Sequence, residues 1–205
     1  MLRGRPGFTL FELVLAISLM LLLAGVIIIS FAGSRRIEGL DEGAARFEAA
    51  LRMTRAEAAG AGRRFCLILR DQDAAFRVMW EPEPLTAPGE FVPYTRSTWP
   101  EHLPSGIVEV TRLELTGPSV YRVMGIASSP FKLVGMDAKP EDLDLLMFHA
   151  DGSSDSGLVE LATTDPADQR RAVVEVDGRT GTVTSQVLTP TELEEFYKTR
   201  AAGAT

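Results

Sequence analysis

One carboxylate stands where a carboxylate is expensive. Glu12 is followed by LVLAISLMLLLAGVIIISFA, residues 13–32, which carry no formal charge. At 1.5 Å per residue a helix of that length spans about 30 Å, the hydrocarbon core of a bilayer. An acid drawn to the middle of such a helix costs about 2.5 kcal/mol, and less near the interface. Two cations, Arg3 and Arg5, precede it, then Pro6, Gly7 and Phe8. Pro6 is compatible with an extended, non-helical stretch before the helix. The chemistry raised at this end is the pairing of a costly acid with a cation.

Other reactive residues are sparse. The segment Asp151-Gly-Ser-Ser-Asp155-Ser-Gly157 offers oxygens for calcium, but Ser156 stands where the loop template needs glycine and Ala162 where it needs a bidentate acid. A hairpin turn is the expected role, with no metal. His102 and His149 lie far apart without a third ligand, and each reads as an ordinary surface or strand residue. Cys66 has no partner for a disulfide and falls in an apolar run, so it reads as a small core residue. No Ser-His-Asp order, paired-carboxylate motif, phosphate loop or zinc spacing occurs. The chain is expected to be no enzyme and to use no cofactor.

Charge is unevenly spread. The whole chain carries 21 basic and 28 acidic residues, net −7, yet residues 33–205 alone carry −8. That acidic domain is large enough to bury its own core. It lacks the basic face that duplex DNA requires, Arg170-Arg171 being the one basic pair near its C-terminal strands. Nucleic acid is therefore not an expected partner.

The elements that position these residues follow from periodicity. No proline occurs between Pro6 and Pro82. Leu40, Ala44, Phe47, Leu51, Thr54 and Ala58 recur at three- and four-residue spacing, one apolar stripe with Glu42, Arg46, Glu48, Arg52 and Arg55 off it. One helix of about 50 residues is expected, ended by Gly60-Ala61-Gly62, with Gly25, Gly33, Gly39 and Gly43 as weak points. Strands are expected at Phe65–Leu69 and Phe76–Trp80 around a turn at Arg70–Asp73, then at Ile107–Leu115, Leu145–Phe148, Gly157–Ala162, Ala172–Val176 and Thr182–Leu188. Six prolines between Pro82 and Pro104 argue for a long loop or edge, not sheet interior. Residues 116–142 carry turn signals with room for one short strand or helix. Thr189-Pro190-Thr191-Glu192 is a capping box opening a short acidic helix. The fold class is α+β: a long N-terminal helix packed on a small antiparallel β-sheet domain. The divisions are a leader at 1–7, a transmembrane helix at 8–32, its amphipathic continuation at 33–62 and a globular β-rich domain at 63–205.

Three accounts of the N-terminus compete on physical grounds. A cleaved signal peptide would use Ser30-Phe31-Ala32, but the apolar run exceeds the usual length. An ordinary anchor explains the length and leaves Glu12 to snorkel. The third rests on a motif. RGRPGFTLFE, residues 3–12, resembles the processing signal of type IV pilins and type II secretion pseudopilins. In that family a short basic leader and a glycine precede Phe-Thr-Leu-x-Glu at the head of an apolar helix. The resemblance implies cleavage by prepilin peptidase between Gly7 and Phe8, methylation of the new Phe8 amine, and subunit assembly through Glu12. The Phe8 ammonium is then the natural partner for the acid. Lys and Arg counts on the two sides of the helix do not set topology. An extracytoplasmic domain on a single-pass inner-membrane protein is what the resemblance implies.

The far end resembles a subgroup. Phe148-His149-Ala150-Asp151-Gly152, the strand 157–161 and the run from Arg171 to Gly181 resemble the C-terminal strands of H-type minor pseudopilins, the group that includes FimT-like pilins. Arg55-Ala56-Glu57-Ala58 resembles that group's helix. The resemblance implies a minor pseudopilin of a type II secretion pseudopilus serving protein export. Its partners are then prepilin peptidase, sister pseudopilins or pilins met through Ala16, Ser18, Ala24 and Gly25, an inner-membrane assembly platform, and other minor subunits or secreted cargo. The alternative is a FimT-like minor type IV pilin acting in pilus assembly or DNA uptake.

Overall fold

A computed structural model of the chain describes residues 10–70, 76–116, 132–136 and 143–203, with the backbone alone for residues 26–38 and Arg70. Helix α1 runs from Leu10 to Ala61. Its end has a physical cause. Gly62 adopts φ +60°, and the N–H groups of Gly62 and Arg63 donate back to the carbonyls of Ala59 and Ala58 at 3.4 and 3.2 Å. This is a Schellman cap, closed by a residue that pays no Cβ penalty in the left-handed region.

The chain divides into two compact units, Met1–Glu38 and Gly39–Thr205. In the first, the described large apolar side chains from Leu10 to Leu23 are all at least half exposed. Among the described residues no helix is long and apolar enough to cross a membrane, and the side chains of the 13–32 run are described only as far as Gly25.

In the second unit the expected stripe is the buried one. Leu40, Ala44, Phe47, Leu51, Thr54 and Ala58 are each under 5% exposed. Thr54, the stripe's polar member, is satisfied by donating to the Ala50 carbonyl at 2.7 Å. Gly43 is not a weak point here but a contact. A Cβ there would lie 2.3 Å from Val108 Cγ1, so glycine lets the helix backbone come down onto a strand.

The stripe packs into one core with two sheets. The first has β1 (Phe65–Arg70), β2 (Arg77–Trp80), β3 (Glu90–Pro93), β5 (Lys132–Leu133) and β6 (Asp144–Phe148), in the order β5-β3-β2-β1-β6. The second is an antiparallel meander with a long first connection, β4 (Val108–Thr116), β7 (Ser156–Thr163), β8 (Arg171–Asp177) and β9 (Thr182–Leu188), in the order β4-β7-β8-β9. The expected antiparallel β-sheet domain is built of two sheets, with one parallel pair, β3 on β5. Strand β1 reads as continuous apolar residues because both its faces are covered. Phe65 and Leu67 join the main core, and Cys66 and Ile68 join a second cluster with Met79, Phe91, Leu133 and Met147.

The proline-rich stretch is corrected as well. β3 lies inside the first sheet, between β2 and β5. Successive N–H groups of a strand point to opposite neighbours. Tyr94 N–H reaches the Val78 carbonyl on the β2 side, while pairing to β5 ends with Val134 N–H on the Phe91 carbonyl. Pro93 therefore lacks its N–H where no neighbour needs one. The hairpin turn expected at Arg70–Asp73 lies outside the described residues, as does most of 116–142.

The C-terminal helix α2 runs from Pro190 to Gly203 behind its capping box. Thr189 N–H donates to Glu192 Oε2 at 2.8 Å, and the Thr189 hydroxyl meets the same oxygen at 2.7 Å. α2 docks on the face of the second sheet away from α1. Tyr197 donates to Glu160 Oε2 at 2.8 Å, Arg200 pairs with Glu175, and Arg112 lies 4.5 Å over the Tyr197 ring.

Candidate functional site

Of the processing residues, Gly7 and Phe8 lie outside the described residues. Glu12 sits in the first turn of α1, exposed, among exposed Leu10, Phe11, Leu13 and Val14. Its position matches the favourable end of a helix dipole for an acid. Two residues expected at a helix–helix face are also placed. The Ser18 hydroxyl turns back to the Val14 carbonyl, which hides its polarity within its own helix, and Gly25 has open space where a Cβ would stand.

The motifs singled out at the far end come together with the helix. The β6–β7 turn carries Asp151 and Gly152; the β8–β9 turn carries Gly178 to Gly181. Arg55 of α1 reaches both. Its Nε donates to the Gly152 carbonyl and its Nη1 donates to the Thr180 carbonyl at 2.9 Å. The turns also bind each other, Ser154 N–H donating to the Gly178 carbonyl at 2.9 Å. Two glycines are dictated by this crowding. A Cβ on Gly178 would fall 1.8 Å from the Ser154 carbonyl oxygen, and one on Gly181 would fall 0.8 Å from Arg55 Nη1. Gly181 adds φ +75°. Arg55 looked on sequence like one of several solvated charges off the stripe; its role as a clamp has no signal in spacing alone.

The oxygen-rich loop spends its carboxylates on this geometry. Asp151 Oδ1 accepts from the Ser153 hydroxyl and N–H at 2.6 and 2.9 Å, which holds its carboxyl below the usual range. Asp155 Oδ2 accepts the Met147 N–H at 3.0 Å. In the next turn the Thr180 hydroxyl, then the Arg179 N–H, lower Asp177 in the same way. Asp151 and Asp177 thus form Asx turns in which the side chain replaces a backbone acceptor. The residues fit turn formation, and among those described no group of three or more metal-ligating side chains converges.

The remaining candidates are also placed. Cys66 is fully buried, and burial pushes its thiol up to about 12, which suppresses the thiolate. His102 is exposed at the end of a short 3-10 turn, and His149 is half-buried at the end of β6. Arg170 is held by Asp168 at 2.7 Å and faces Asp41 at 3.5 Å, while Arg171 faces Glu160 at 3.6 Å. The basic pair is therefore already neutralised within the domain. One ion pair was not foreseen. Glu81 is fully buried at the start of the β2–β3 connection, where Arg64 binds it through Nε at 2.6 Å and Nη2 at 2.5 Å. Burial raises its carboxyl, but Arg64 and the Gly89 N–H outweigh that and leave it below its ordinary value.

The architecture is α+β, a long N-terminal helix followed by two mainly antiparallel sheets. Two solved structures are similar to it. The crystal structure of the minor pseudopilin EPSH from the type II secretion system of Vibrio cholerae gives a TM-score of 0.43 at 17% identity, covering 74% of this chain and 96% of that one. A second structure of the minor pseudopilin EpsH from the same system of that organism gives 0.42 at 16% identity with the same coverage. No family model matches the chain, and no curated protein matches it.

Proposed function

We propose that the chain is a minor pseudopilin subunit of a type II secretion pseudopilus. It is cut by prepilin peptidase between Gly7 and Phe8, methylated on Phe8, and held in the inner membrane by the apolar helix that follows. Its acidic domain lies on the extracytoplasmic side. One observation carries this reading: Glu12 stands in the first turn of a helix whose following residues expose leucine, isoleucine and methionine on every side. A helix apolar all round belongs in lipid or among like helices. An acid at its head needs a cation there, and removal of residues 1–7 creates one at Phe8. The work is mechanical: the helix packs among sister helices and the domain meets neighbouring subunits or exported protein. The neutralised Arg170-Arg171 pair and the acidic balance favour this over DNA uptake.

Intact mass and N-terminal sequencing of membrane-extracted protein test it first. The expected product begins at methylated Phe8. A product beginning at Gly33 would replace the filament subunit with a secreted domain, and an intact Met1 would leave a plain anchor. Glu12→Ala is expected to be cleaved normally and to enter filaments poorly. Normal assembly of that variant would remove the ion pair from the argument.

A further inference from the structure

The second sheet buries apolar residues on both faces, and only one of those faces joins the core with α1. Neighbours along a strand look opposite ways. Val159 and Leu161 of β7, with Ala172, Val174 and Val176 of β8, join the α1 core. Leu158 and Glu160 of β7, and Val173 and Glu175 of β8, therefore share the opposite face. Their register makes a small rectangle, Glu160 beside Val173 and Leu158 beside Glu175. It measures about 5 Å across the strands and about 7 Å along them. α2 touches two diagonal corners: Tyr197 donates to Glu160 at 2.8 Å, and Arg200 pairs with Glu175. A helix about 10 Å wide laid over one diagonal covers the other as well. Those other corners, Leu158 and Val173, are fully buried, and neither belongs to a core cluster. They form an apolar island under α2.

The cover is fastened lightly. None of the described α2 side chains is buried; Leu193, Phe196, Tyr197 and Arg200, its i, i+3, i+4, i+7 row, are half-buried. The Arg200–Glu175 pair is 36% and 42% exposed, so water competes for it. The charges beneath do not depend on α2. Glu160 keeps the Thr111 hydroxyl at 2.9 Å and Arg171 at 3.6 Å, and Arg112, which lies over the Tyr197 ring, keeps Glu114. Lifting α2 therefore orphans no buried charge and wets two apolar side chains of the sheet. Opening the α1 side would wet Phe47, Leu51, Phe65 and the rest of the main core. Local opening occurs where few buried apolar contacts must break. A helix of 14 residues, once off its support, does not hold its own hydrogen bonds.

We propose that α2 is a lid: it lifts from the second sheet while the rest of the domain stays folded, and it uncovers an apolar island of Leu158 and Val173 ringed by Glu160, Glu175 and Arg171. A permanent cover buries apolar residues of its own, as α1 does with Phe47 and Leu51. α2 meets the island with half-buried side chains and is held at its corners by a phenol and a guanidinium. Closed, the lid keeps the island from water; open, it offers a face that the folded domain otherwise hides. This device goes beyond the proposed function, and it holds or fails without regard to cleavage at Gly7.

Thiol labelling of the purified full chain in detergent tests it. Val173→Cys and Val174→Cys place thiols at adjacent, fully buried positions on opposite faces of β8, and fully buried Cys66 is a built-in reference. Iodoacetamide is added under native conditions, and each thiol is followed by peptide mass. The thiol of Val173→Cys is expected to react at least about a hundredfold faster than that of Val174→Cys or Cys66, because only the lid must open. Adding Tyr197→Phe removes one hydrogen bond of the lid and is expected to speed the first reaction about fivefold while leaving the other two unchanged. Equal rates at 173 and 174 would overturn the proposal. So would a rate at 173 that ignores Tyr197→Phe, since α2 would then not be the cover. Hydrogen exchange of the unsubstituted chain decides the matter if a cysteine variant misfolds. The amides of α2 are expected to exchange faster than those of β7 and β8, and equal protection would overturn the lid.

Discussion

Two stretches of one helix treat their apolar residues in opposite ways. Between Leu40 and Ala58 the stripe is shut into a core and the charges lie off it. Between Leu10 and Leu23 there is no stripe, and every described large apolar side chain is at least half exposed. The first pattern belongs to a helix that meets protein on one side and water on the other. The second exposes apolar residues all round, the pattern the proposed function assigns to contact with lipid or sister helices. Substitution separates them. Phe47→Ala empties a fully buried aromatic site and should cost about 3–5 kcal/mol, read as a large fall in the domain's melting temperature. Leu21→Ala, at an exposed site, should leave that melting temperature where it was. Equal losses at both positions would erase the distinction.

How much of this was legible follows from the kind of interaction involved. The stripe, the capping box, the strands of the second sheet and the helix end were all readable because each depends on residues close in sequence. Glu12 stands out in the sequence because an acid beside a long apolar run is costly, and its role belongs to the proposed function. β3 was not, since its place inside the first sheet depends on which side of Pro93 lacks a neighbour. The Gly43–Val108 contact and the Arg55 clamp join residues 65 or more positions apart and leave no period.

A second contrast sits within the loops. The 81–89 segment is braced by a buried ion pair, whereas the β6–β7 and β8–β9 turns are braced by Arg55 on backbone carbonyls and by the Asp151 and Asp177 side chains on their own turns. Glu81→Gln removes the charge and leaves the Arg64 guanidinium, 30% exposed, without it. Removing one member of a fully buried pair costs 3–5 kcal/mol; partial exposure of Arg64 brings the expectation to about 2 kcal/mol in denaturant titration. The pH dependence has a definite sign. The folded Glu81 carboxyl lies below its ordinary 4.5, so its contribution is complete above that value. It is lost progressively as pH falls from there through the folded value. The variant should show a flatter acid slope, and an unchanged slope would mean the pair contributes nothing to folding.

The turns make a sharper case through Gly181. Gly181→Ala adds a methyl group where the Arg55 guanidinium lies and forces a side chain into φ +75°. A loss of about 2 kcal/mol is expected, roughly half from backbone strain and half from displacing the clamp. In the background of Arg55→Ala the second half is already gone, so Gly181→Ala should cost only about 1 kcal/mol there. A double-mutant cycle reads the difference. Strict additivity would show that Arg55 does not hold the turns.

The smallest effects lie on α2, and they bear on what exposure means. Its inner side rests on polar contacts: Tyr197 donates to a nearly buried carboxylate, which pushes its own phenol upward after the larger effect of burial. Tyr197→Phe should therefore cost about 1 kcal/mol. On the outer side Lys198 and Glu194 form an i,i+4 pair at 3.6 Å, both about three-quarters exposed. Lys198→Ala should change the melting temperature too little to measure, because water and salt screen such pairs. This helix and the Leu10–Leu23 segment are both exposed, but one shows charge and the other shows leucine. Exposed charge is satisfied by water and asks for no partner. Exposed leucine on every side is not, and that is the contrast from which the proposed function assigns the Leu10–Leu23 segment to lipid or sister helices.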